Sequence, residues 1–306
     1  MNVIVTGATG TLGLACVEML IRAGHQVRAF VRDPAKFKRL CFETRVEVVE
    51  GDILDRASVA AALETADAAI HCVDFAPSQY SLHWEALQYL LEGLGPRKQL
   101  VYPGNVWVYG TPEAERLGPN HPKASPSRLG TVKADLEKAV TAEDGTVVRL
   151  PDVYGPGVYE GRLRSIFERA LTGKTLYIRG GLDRSWECLY AADAARALIS
   201  PLERPRARGA DYTAPGFSAI TPREFASLIF QAAGHAPRIR PLPKGIHTIF
   251  QLLRREHRAR RELAYLDHLP ILLDGTRIRQ ELGWVPEVNY RDGVKRTVKW
   301  IRGSRS

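Results

Sequence analysis

The chain has 306 residues, 45% hydrophobic and 25% charged, enough to bury a full core in one large domain or a domain plus a lobe. No run approaches the roughly 18 apolar residues of a membrane span, and the first residues read as a core strand rather than a signal peptide, so a cytoplasmic protein is expected. The net charge of +9 lies in the C-terminal quarter: residues 235–306 hold 16 Lys and Arg against 7 Asp and Glu, leaving residues 1–234 neutral.

In chain order, Asn2-Val3-Ile4-Val5-Thr6 reads as a buried strand and Gly7-Ala8-Thr9-Gly10-Thr11-Leu12-Gly13 as a tight turn. Leu12, Cys16, Met19 and Leu20 then recur at helical spacing. Glycines between a strand and a helix let the backbone approach a pyrophosphate, and the first free N–H groups of the helix point at the anion. Further strands are predicted at 26–31, 46–50, 67–73, 98–103 and 146–150, with helices at 12–23, 56–65, 82–94 and 127–142. Such alternation implies a parallel sheet covered on both faces, a Rossmann-type doubly wound α/β fold. The strand ends near Arg32, Asp52, Asp74, Asn105 and Pro151 should converge with the first loop on one crevice. Beyond 150, helices near 161–172, 191–202, 222–233 and 275–282 alternate with short extended pieces. The expected division is a cofactor-binding domain of residues 1–155 with returning segments near 176–214, and a mixed α/β substrate lobe of 156–175 and 215–306.

Thr6-Gly7-x-x-Gly10-x-x-Gly13, Gly51-Asp52-Ile53, Val108-Tyr109-Gly110, Val153-Tyr154-Gly155-Pro156-Gly157, the Tyr190–Arg196 segment and Asp274-x-x-Arg277-x-x-x-Glu281-Leu282-Gly283-Trp284-x-Pro286 together resemble the extended short-chain dehydrogenase/reductase superfamily, its epimerase/dehydratase-like branch. The resemblance runs nearly end to end. It implies that Gly7, Thr9, Gly10, Thr11, Leu12 and Gly13 hold a dinucleotide pyrophosphate, and that Asp52 and Ile53 border the adenine. Cys72, Pro151 and Val153 would line the cofactor, and Lys133 would meet the nicotinamide ribose. NAD-dependent members carry an acidic residue where this chain has Val31, and Arg32 follows directly. A guanidinium suits a 2′-phosphate, so NADP(H) is favoured over NAD(H).

The resemblance also implies a Ser or Thr after the fifth strand and a Tyr-x-x-x-Lys on the next helix. Here those positions hold Asn105 and Leu129-x-x-x-Lys133. Leucine cannot move a proton; Asn105 can still donate a hydrogen bond to a substrate oxygen. By position, Lys133, Asp74, Tyr109, Tyr102 and Tyr154 are the groups that could take over the proton transfer. An NADP(H)-dependent reductase is expected. A non-redox isomerase, lyase or cyclase, a sugar-nucleotide epimerase or dehydratase, and an NADP(H)-sensing protein without turnover are the alternatives.

Phe75, Tyr80, Trp84, Trp107, Tyr159 and Trp186 could line an apolar pocket, with Trp107, Tyr154 and Trp186 beside the substrate. A small ring-containing or polyketide-like carbonyl or enone fits such a lining. The arginines expected to grip a nucleotide diphosphate find only near matches in Arg184, Arg260 and Arg261. Residues 242–270 lead through an apolar stripe into the basic run 254–261, a solvated helix face, lid, dimer element or membrane-surface contact. A nucleic-acid partner is not expected, and a homodimer is left open. The four scattered cysteines show no metal-ligand spacing, nor do His71, His83, His121, His247, His257 and His268.

Overall fold

A computed structural model describes residues 1–41, 45–75, 79–95, 98–158, 161–242 and 264–303. At its centre is a parallel sheet of seven strands: β1 (Asn2–Thr6), β2 (Gln26–Val31), β3 (Val46–Glu50), β4 (Ala68–His71), β5 (Gln99–Asn105), β6 (Thr146–Leu150) and β10 (Asp211–Thr213). Their order is β10-β6-β5-β4-β1-β2-β3. β1 lies inside the sheet beside the middle strand β4, and its Val3, Ile4 and Val5 are buried, as in a strand covered by helices on either side. From β1 the chain moves outward to β2 and β3, then returns to β4 on the other side. A crevice therefore opens between the ends of β1 and β4, at the reversal of strand order.

One face of the sheet carries α1 (Thr11–Arg22) and α7 (Ala191–Ile199), which pack on each other. The other carries α3 (Arg56–Leu63), α4 (Tyr80–Leu94) and α5 (Arg128–Ala142). The sequence boundaries agree within a few residues for these elements. They miss α2 (Pro34–Leu40), a seven-residue helix too short to show a period, although Asp33 caps it by accepting from the Lys36 N–H at 2.8 Å. The predicted strand 67–73 stops at His71, and that at 98–103 runs on to Asn105.

After β6 the chain forms β7 (Asp152–Tyr154), α6 (Gly161–Leu171), β8 (Leu176–Ile178) and β9 (Cys188–Tyr190). It returns to the main sheet as β10 and leaves again through α8 (Pro222–Ala232) and β11 (Ile239–Pro241). The parallel pairs β7–β9 and β8–β11 join α6, α8 and a C-terminal helix, α10 (Tyr290–Gly303), around a second apolar cluster. α10 was not anticipated, although Val294, Val298 and Ile301 repeat at helical spacing and are buried. α9 (Thr276–Leu282) packs beside β10.

Two buried polar ties fix these segments. Arg149 of β6, wholly buried, donates to Glu137 of α5 at 2.7 Å and to Asp211 of β10 at 2.6 Å. Glu187, just before β9, accepts the N–H groups of Gly216 at 3.2 Å and Leu273 at 2.8 Å. Burial lifts its carboxyl to about 7.

Candidate active site

The first loop is built for close approach. Gly7 has φ +69°, and a Cβ there would lie 2.6 Å from the carbonyl carbon of Cys72, so only glycine fits. A Cβ on Gly13 would strike the Gly7 carbonyl, which is how α1 sits hard against β1. Gly10 differs: a Cβ there would meet nothing closer than the Gly7 oxygen at 3.4 Å, because its open side is the crevice. Gly10 is also the N-cap of α1, with no side-chain cap and no acidic residue in the first turn. The leading N–H groups of α1 are thus left for an anion. This loop fits a dinucleotide pyrophosphate.

Around it, Thr11 donates to the Gly157 carbonyl at 2.7 Å, drawing the loop after β7 over the helix start. Asp52 turns inward to accept from Leu54 at 3.0 Å, and Ile53 is buried behind it. Arg32 is exposed where β2 ends and has no ion-pair or hydrogen-bond partner among the described residues. Its neighbour Asp33 is held as the cap of α2. Cys72 carries β4 one residue further by bonding its N–H to the Thr6 carbonyl, and buried Pro151 follows β6.

Asn105 ends β5 and accepts from the Trp107 N–H at 2.9 Å through Oδ1, capping the short 3-10 turn Val106–Val108. Its amide nitrogen, the donor end, has no acceptor among the described residues. Leu129, in the first turn of α5, is buried hydrocarbon. One turn on, buried Lys133 donates to Asp74 Oδ1 at 2.8 Å and to His83 Nδ1 at 3.4 Å, and Tyr102 lies close enough to act on its charge. Burial opposes its charge, but Tyr102 and Asp74 outweigh burial and raise the amine above the ordinary lysine range. Beside it, burial and the Lys133 charge push His71 down to about 3 and His83 to about 4, so both imidazoles are neutral. His71 pairs with Thr6 Oγ1 at 2.8 Å and stacks near Tyr102. His83 was missed from sequence as a member of this cluster. Its signal was the buried stripe His83, Ala86, Leu87, Leu90 on α4.

Three expected site residues lie elsewhere. Tyr109 is fully buried, its hydroxyl donates to the Gly118 carbonyl at 3.0 Å, and burial lifts it to about 12. It serves the core beside Arg149 rather than proton transfer. Tyr154 sits among Tyr190, Phe225 and Tyr290 in the second apolar cluster, and Trp186 packs on Phe225 with its indole N–H given to Asp152 at 3.2 Å. Both are core residues of that cluster because its apolar surface needs large rings to fill it. Arg184, the near match to a diphosphate-gripping arginine, donates to the carbonyls of Asp267 at 2.8 Å and Leu269 at 3.2 Å. Tyr159, Arg260, Arg261 and the basic run 254–261 lie outside the described residues. Among the described residues no group of three His, Cys, Asp or Glu side chains could hold a metal ion, and no helix is long and apolar enough to cross a membrane.

A glycine cradle at the reversal point of a parallel sheet defines a Rossmann-type dinucleotide-binding protein of the extended short-chain dehydrogenase/reductase kind. The model of the NAD dependent epimerase/dehydratase family matches residues 3–214, and the chain belongs to that family. It is 25% identical to a dTDP-glucose 4,6-dehydratase of Streptomyces niveus over 100% of this chain and 94% of that one. It is 29% identical to a 3-diazoavenalumate denitrifying reductase of a Streptomyces species, over 66% of this chain and 72% of the other. Its fold superposes on the crystal structure of dTDP-glucose 4,6-dehydratase from Bacillus anthracis in complex with NAD, with a TM-score of 0.82, 20% identity, and coverage of 100% and 97%.

Proposed function

We propose that the chain is an NADP(H)-dependent reductase acting on a small ring-containing or polyketide-like carbonyl or enone. The observation that carries the reading is the donor pair at the crevice: the free amide nitrogen of Asn105 and the charged Lys133 remain where the family's usual Tyr has become Leu129. Similarity to a reductase supports it.

In this reading Gly7, Gly10, Gly13 and the start of α1 hold the pyrophosphate, Asp52 and Ile53 border the adenine, and Arg32 takes the 2′-phosphate. Asp33, the carboxylate next to Arg32, has one oxygen engaged as the α2 cap. The bound dinucleotide supplies a hydride. Asn105 orients the substrate oxygen by donating to it and stabilises the charge that develops there. Lys133 furnishes the proton, because Leu129 has none to give and Lys133 is the charged donor one turn further along the helix.

Calorimetric titration of NADPH, NADP⁺, NADH and NAD⁺ tests the cofactor half. NADPH should bind more tightly than NADH, and Arg32→Ala should cost NADPH roughly 1.5–3 kcal/mol, the worth of a charge-assisted bond, while sparing NADH. Equal affinity of the wild type for both removes the argument from Arg32. Consumption of NADPH with ring-containing ketones and enones tests the other half, and no consumption across the set would sink the reductase.

A further inference from the structure

A lysine ammonium has three N–H bonds to give and no lone pair. Around Lys133 the fold supplies two acceptors within hydrogen-bond distance, Asp74 after β4 and His83 on α4, with Tyr102 of β5 beside them. His71 of β4 is the fourth titratable group near it. Because Lys133 can only donate, His83 Nδ1 must hold its lone pair there and carry its proton on Nε2. That Nε2 is buried and has no hydrogen-bond partner. It points to within 3.7 Å of Asp74 Oδ1, a gap too long for a hydrogen bond. Asp74 is the one exposed member of the group, its side chain 59% accessible, whereas Lys133 is 7%.

We propose that Asp74 is a two-position gate on Lys133. Its carboxylate either accepts a Lys133 N–H, as observed, or turns to the waiting His83 Nε2–H and frees one Lys133 N–H for an oxygen in the crevice. His83 and Tyr102 are positioning residues that keep the ammonium in place through the exchange. The inference rests on the reading of Lys133 as proton donor. The freed N–H bond breaks as the substrate alkoxide gains its O–H bond. The electron pair stays on Nζ, and the amine is reprotonated from water in the open crevice.

Trace acetylation of Lys133 by acetic anhydride, read by mass spectrometry on the intact protein, reports how often the amine is released. Asp74→Ala should raise labelling about tenfold, the equivalent of one pKa unit. His83→Asn, whose carboxamide oxygen replaces Nδ1 but offers no donor at Nε2, should label more slowly than wild type. His83→Gln, which can restore an N–H at that place, should recover the wild-type rate. Thermal melts verify that each variant is folded. In the wild type, ¹⁵N spectra of His83 must show the proton on Nε2, and a proton on Nδ1 overturns the gate. So does labelling that is indifferent to Asp74→Ala or equal in His83→Asn and wild type. Failure to consume NADPH while labelling follows this pattern overturns the reductase and leaves the gate standing.

Discussion

Gly7 and Gly10 are three residues apart and do different work. Gly7 is required by the fold, because a side chain there would be strained at φ +69° and would press on Cys72. Gly10 has room for a side chain within the fold, and in the proposed reading only the pyrophosphate would meet one. Gly10→Ala should therefore fold with an unchanged melting temperature and yet lose NADPH affinity by about tenfold or more, or ~1.4 kcal/mol. Gly7→Ala should lose stability as well, by on the order of 1–3 kcal/mol of backbone strain. Melting curves and calorimetry on the pair separate the two roles, and a Gly10→Ala protein that binds normally would remove the pyrophosphate from this loop. The glycine spacing, Arg32 and the replacement of Tyr by Leu129 were all legible in the sequence. The surroundings of Lys133 were not, since Asp74, His83 and Tyr102 are brought to it by three separate elements. Nor could a one-dimensional pattern show that Asp33 faces the α2 N–H groups rather than the crevice.

At the scale of elements, buried Val, Ile and Ala runs made the interior strands β1, β4 and β6 readable, since strands covered on both faces are apolar throughout. β7 to β11 were harder: each has three residues, too few for a period to appear. What secures the returning strand β10 is in part the salt-bridged Arg149, which links α5, β6 and β10 from inside the protein. Arg149→Met should leave Glu137 and Asp211 without their guanidinium and cost about 3–5 kcal/mol in chemical denaturation. A loss below about 1 kcal/mol would show that Lys123, 3.6 Å from Glu137 and 3.4 Å from Asp211, compensates.

Across the whole molecule, buried titratable groups set opposite limits on pH. His71 and His83, held at about 3 and about 4 against an ordinary 6.5, keep their full contribution above 6.5 and lose it as acid forces protons onto them. Glu187, lifted to about 7 from an ordinary 4.5, holds its proton better folded than unfolded. It withdraws stability as pH rises from 4.5 toward 7. Melting temperature should therefore peak on the mildly acidic side of neutrality. Glu187→Gln should steepen the rise in melting temperature between about pH 5 and 6.5 and remove its fall between about 6.5 and 7, whatever the variant's absolute stability. An unchanged slope in differential scanning calorimetry would assign that fall to other groups.

The return of β10 to the sheet has a consequence for the order in which the protein can be made. β6 emerges from the ribosome with all five residues destined for burial, but its outer partner lies about 60 residues further along. At roughly 5–20 residues per second, the open edge of β6 persists for some 3–12 s of synthesis. Through that interval the nascent chain presents unpaired backbone beside Val147 and Val148, the kind of edge on which chains pair wrongly. When β10 arrives, it replaces that edge with one three residues long that begins with Asp211. Nascent-chain protection is thus most needed while residues 151–210 follow β6 out of the ribosome.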